Sequence, residues 1–147
     1  MSFAASLRKN IDRVLREVNY KINHRAYIFF NYIVKKSPHV GDGPYVSGHF
    51  INNWFPAVNT FDGSITPATE ADGGGSMARI ESVVKNNSAF LRKDGFVSLS
   101  NNLSYAARIE SLGWPKGYDP KSGWNWTGKR IIFAPVQKAT LYMKTIK

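Results

Sequence analysis

The sequence predicts one domain that mixes helices with short extended segments, and three observations carry that prediction. A long apolar stripe at helical spacing leads the chain, briefer apolar runs with cap and stop residues follow, and extended stretches bounded by turn residues lie between them. A length of 147 residues suits a single domain that buries about 68–70% of its unfolded surface. The 43% hydrophobic fraction excludes global disorder. Cysteine is absent, which removes disulfide frameworks, thiolate zinc sites and cysteine nucleophiles together.

The leading stripe consists of Leu7, Ile11, Val14, Val18, Ile22, Ala26, Phe29 and Ile33, spaced three or four apart as one face of an amphipathic helix. Asp12 with Arg16 and Glu17 with Lys21 are spaced for modest surface support. Pro38 disfavours helical geometry at Ser37, so the helix should stop near Lys36. Some thirty residues at 1.5 Å each give a rod of about 45 Å, longer than a domain of this size is wide. Part of it is therefore expected to pack on another subunit.

Turn chemistry follows Pro38, and residues 49–54 suit a short helix or turn. Residues 54–61 read as extended. Residues 59–76, with Gly73, Gly74 and Gly75 in a row, predict a flexible loop or a strand-turn-strand arm. Ser76 is positioned to cap a second helix with Met77, Ile80, Val83 and Val84 on its apolar face, ended by Asn86 and Asn87. Residues 89–91 and 96–99 flank Asp94-Gly95, a tight hairpin turn by composition. A third helix should follow Asn101 and Asn102, with Tyr105 and Ile109 on one face and Gly113 as its stop. Residues 114–128 read as irregular and aromatic. Residues 131–133 look extended, Ala134 and Pro135 break them, and residues 136–147 suit a basic terminal helix. There is no internal repeat and no interdomain linker.

Lysine and arginine outnumber acids 20 to 10, a net charge of +10. The first 36 residues carry +6, residues 37–128 carry −1 and residues 129–147 carry +5. Arg8, Arg16, Lys129, Arg130, Lys138 and Lys144 are the candidates for a basic face, weighed against plain solvated helix surfaces. No apolar core of signal-peptide length opens the chain, and no run approaches the roughly 18 residues a membrane span requires. The expectation is a soluble chain made in a cytoplasm, with no membrane partner.

Few residue patterns point to chemistry. His24, His39 and His49 lack metal-ligand spacing, and Asp42 with His49 and some serine is a combination almost any chain supplies. The Gly-Asp-Gly and triple-glycine segments lack the lysine and the strand-to-helix setting of phosphate loops. Glu81 and Glu110 are better explained by capping or by pairing with Arg79 and Arg108 than as a carboxylate dyad. Neither a catalytic residue nor a metal or cofactor is expected. The segment holding Trp114, Tyr118, Trp124 and Trp126 beside Lys116, Lys121 and Lys129 is the stronger candidate: it fits base stacking, a protein interface, or aromatics folded onto their own core.

Two motifs resemble the small neck proteins of tailed bacteriophages, which join head to tail or complete or terminate the tail. Residues 37–54 are similar to that family's Ser-Pro, turn and Asn-Trp pattern through Ser37, Pro38, Ser47, Gly48, Asn53 and Trp54. Residues 98–113 resemble its strand and following helix through Asn101, Asn102, Tyr105, Ala106, Ile109, Glu110 and Gly113, and Ala134-Pro135 resembles its later break. Extra residues around 42–45 and the aromatic stretch 114–128 depart from the pattern. The resemblance implies an α+β fold, with a long N-terminal helix and shorter helices packed on a small antiparallel sheet. It also implies a structural virion protein without catalysis, assembled as a ring of its own copies and touching neighbouring neck or tail proteins and the DNA in the channel. As architecture, Pro38 would stop the first helix, Gly48 permit a turn, Trp54 anchor the core, and Asn101 or Asn102 cap the third helix. A basic nucleic-acid-binding module using residues 114–129 is the competing expectation.

Overall fold

The computed structural model describes residues 2–85 and 96–128. The predicted hairpin turn at Asp94-Gly95, the break at Ala134 and Pro135, the terminal helix, and Lys129, Arg130, Lys138 and Lys144 lie outside the described residues.

The fold is α+β. Helix α1 (Phe3–Lys36) opens with the Ser2 hydroxyl accepting the Ala5 N–H and closes with Lys35 and Lys36 in its last turn, where cations complement the helix dipole. Its end is built by Ser37, whose N–H and hydroxyl both donate to the Ile33 carbonyl. That hydroxyl also accepts the Trp54 indole N–H at 2.8 Å. Ser37, Pro38 and Trp54 thus form one buried junction, which is the physical reason for that residue set in the first motif.

A single 3-10 turn (Ile51–Asn53) leads into strand β1 (Trp54–Val58), which pairs antiparallel with β2 (Val97–Asn101), Trp54 opposite Asn101. Asn59 ends β1 in a left-handed conformation and exchanges hydrogen bonds with the backbone of Phe96. Residues 59–73 contain no strand, so the arm alternative does not form. Their backbone is instead pinned to the core by side-chain amides: Asn53 donates to the Thr66 carbonyl and accepts its N–H, Asn52 donates to the Glu70 carbonyl, and Asn102 donates to the Asp62 and Ser64 carbonyls. Gly48 makes that approach possible, because its φ is +83° and a Cβ there would lie 2.7 Å from the Thr69 carbonyl oxygen. Gly48→Ala is expected to destabilise the fold by about 1–3 kcal/mol from backbone strain alone, read as a lowered urea midpoint; an unchanged midpoint would show that residue 48 leaves the left-handed region without cost.

Helix α2 (Gly74–Ile80) begins earlier than the serine suggested. Gly73, left-handed and pressed against Ile51 and Val34, starts it, and Ser76 lies inside it. The Ser76 hydroxyl turns to the core, donating to the Ile51 carbonyl and accepting the Trp54 N–H. A π turn (Glu81–Lys85) continues it, buries Val84 and closes on a Lys85–Glu81 ion pair of 3.2 Å. Arg79 does not pair with Glu81. Its guanidinium lies 4.2 Å over the Phe55 ring and donates to the carbonyls of Asn52 and Trp54 and to the Ser76 hydroxyl.

Helix α3 (Ala106–Leu112) stops at Gly113 with φ +79°, as the sequence predicts, but neither Asn101 nor Asn102 caps it. The Asn101 carboxamide bonds the Phe50 carbonyl and the Leu103 N–H, while Asn102 reaches across to the pinned loop. The aromatic stretch is an ordered antiparallel hairpin, β3 (Pro115–Asp119) with β4 (Gly123–Trp126), rather than irregular chain. Asp119 accepts the Lys121 N–H inside the turn, and Gly123 supplies the positive φ that lets so short a connection close. The core gathers Phe30, Ile33 and Val34 of α1 with Ile51, Trp54, Ile80, Val84, Leu103, Ile109 and Trp114.

Candidate interaction surfaces

Only the C-terminal part of α1 reaches that core. Leu7, Ile11, Val14, Val18 and Ile22 remain about half exposed, and Phe3 and Leu15 join them. The 34-residue helix is about 51 Å long at 1.5 Å per residue. Among the described residues nothing covers the apolar stripe of its N-terminal part. Arg8 and Arg16 are exposed on this part.

The four candidate interface aromatics separate into two groups. Trp114 is 7% exposed and belongs to the core, and its backbone N–H donates to the Thr127 hydroxyl across the hairpin ends. Trp126 is half-buried. Tyr118 and Trp124 are 55% and 46% exposed, with ring centroids 5.1 Å apart. Tyr45, 54% exposed, packs edge-on against Trp124 at 4.8 Å. Gly43 is equally close to the hairpin, since a Cβ there would meet the Pro115 carbonyl oxygen at 2.7 Å. The two stretches that depart from the neck-protein pattern are therefore one packed unit, which the sequence reading did not connect. Beneath it a cavity of about 190 Å³ is lined by Val46, Phe50, Tyr105, Arg108, Ile109 and Trp126, among others.

The remaining motif residues act within the fold. Ile109 is buried, Glu110 is half-buried on the same helix, and Tyr105 stacks obliquely on Phe50 with its phenol pushed up by burial. The His49 ring lies 2.8 Å through Nε2 from the Thr66 carbonyl and 3.1 Å through Nδ1 from the Tyr105 hydroxyl. In its neutral form Nε2 must donate to the carbonyl, so Nδ1 accepts the phenol proton. Asp42 meanwhile accepts the His39 N–H at 2.7 Å. Among the described residues no interaction joins His49 to Asp42, and no group of three or more His, Asp or Glu could hold a metal ion. No helix among them is long and apolar enough to cross a membrane.

Charge adds a surface that sequence reasoning missed. Residues 60–72 carry Asp62, Glu70 and Asp72 with no basic residue, together with exposed Phe61 and Ile65. Hydrogen bonds from Ser64 hold the Asp62 carboxyl below the usual carboxylate range. Burial pulls the Arg79 guanidinium down from its ordinary value, while Glu70 and Asp62 oppose that shift. The signal was present in the sequence: no lysine or arginine occurs between Lys36 and Arg79. Averaging over residues 37–128 hid it. Compared with protein-family models, curated proteins and solved structures, the chain matches none of them.

Proposed function

We propose that this chain is a structural subunit of a tailed-phage virion, a ring-forming neck protein that joins head to tail or completes or terminates the tail. The observation that carries the reading is the N-terminal part of α1, an amphipathic rod whose apolar stripe finds no cover among the described residues. An exposed apolar stripe of this extent marks an interaction surface rather than the scattered apolar exposure normal on monomers. The motif residues support the same reading in a different way. Pro38, Gly48, Asn53, Trp54, Asn101 and Asn102 build the frame that holds the rod and the pinned loop. The proposed role is assembly, with its partners being other copies and adjacent neck or tail proteins.

The test is incorporation. Mass measurement and negative-stain imaging of the chain with its candidate neck neighbours should show it in a symmetric ring and in particles; a chain that stays strictly monomeric and never enters particles overturns the proposal. A nucleic-acid-binding module is the second reading, favoured by exposed Tyr118 and Trp124 beside Lys116 and Lys121. It is the weaker one, because Trp124 already packs against both Tyr45 and Tyr118, which reduces the ring face open to a base.

A further inference from the structure

We infer that the N-terminal part of α1 docks on the acidic loop 60–72 of a second copy of this chain, giving a head-to-tail contact between subunits. Two independent complementarities point to this occupant. The first is apolar: α1 leaves Leu7, Ile11 and Val14 open, and the loop exposes Phe61 and Ile65. The second is charge. Residues 3–22 hold Arg8, Lys9, Arg13, Arg16 and Lys21 against Asp12 and Glu17, a net +3, whereas residues 60–72 carry three acids and no base, a net −3. Arg79 offsets part of that negative field, but its guanidinium is committed to the Asn52 and Trp54 carbonyls and to the Phe55 face.

The alternative pairing of two α1 helices would set like-charged faces side by side. Helix on loop sets opposite charges together and covers apolar residues on both partners. The two surfaces are different patches of the subunit, so the contact is heterologous. Such contacts close into rings when the rotation allows. The inference deepens the neck-protein reading and rests on it for that closure.

The cysteine-free chain makes site-specific cross-linking the direct test. A Val14→Cys, Ile65→Cys double variant treated with a flexible bismaleimide should give a ladder of covalent oligomers, and each single variant should stay monomeric. Adding Glu70→Lys and Asp72→Lys should cut the ladder by about tenfold, and so should raised salt. Dimers from Val14→Cys alone would mean helix-on-helix pairing and overturn the inference, as would the absence of any ladder. A Glu70→Lys, Asp72→Lys chain that enters particles like the wild type would also remove this interface while leaving the neck-protein proposal standing. A wild-type chain that never enters particles would remove the latter whatever the cross-links show.

Discussion

Trp54→Ala is expected to lower unfolding stability by about 3–5 kcal/mol, the cost of deleting a buried aromatic from a packed core. Against the 5–15 kcal/mol typical of a whole domain, that removes much of the margin. The indole is 4% exposed, packs edge-to-face on Phe50 at 5.7 Å, and donates its N–H to the Ser37 hydroxyl that finishes α1. Loss of the ring therefore opens a cavity and loosens the junction between the rod and β1 together. Trp54→Phe separates the two contributions: it retains an aromatic ring but forfeits the hydrogen bond, worth about 1 kcal/mol net, besides any packing lost with the smaller ring. Urea or thermal unfolding reads both variants. A Trp54→Ala protein as stable as the wild type would show that the core does not depend on this junction.

The second large effect is expected on assembly with little change in stability. Ile11→Asp with Val14→Asp alters two side chains that are already about half exposed and touch no part of the core, so the unfolding midpoint should move little, as for most surface substitutions. Burying the exposed halves of two such side chains contributes roughly 1–1.5 kcal/mol each, and a carboxylate forced into the same contact costs more. Particle incorporation should therefore fall by more than about a hundredfold. Circular dichroism and unfolding curves verify that the monomer persists. Wild-type incorporation by this variant would show that the stripe has no part in assembly.

The long helix was legible because period and punctuation agree over more than eight turns: the stripe sets its face, and Pro38 sets its end. The stop at Gly113 was legible for the same local reason. The capping assignments failed because Ser, Asn and Gly serve several local ends, and tertiary contacts choose among them. Ser76 and Asn101 have the acceptor oxygen of a cap but spend it on the N–H groups of Trp54 and Leu103. The hairpin at residues 115–126 was missed because its strands are short and rich in Gly, Asp, Asn and Pro, which erases the alternation that marks a strand. Nothing in local pattern places Tyr45 on Trp124, a contact nearly eighty residues apart in the chain. The acidic loop, by contrast, could have been read from the sequence.

The continuity of α1 has a mechanical consequence. From Phe3 to Lys36 it contains neither glycine nor proline, the usual causes of a sharp kink, so the exposed end and the core-embedded end move as one lever. With some twenty residues, about 30 Å, beyond the core, a tilt of about 10° at the base swings the tip by about 5 Å. Force on the tip is delivered at Phe30, Ile33 and Val34 and at the Ser37–Trp54 bond. A neighbour gripping the lever would thus be felt at the centre of the subunit.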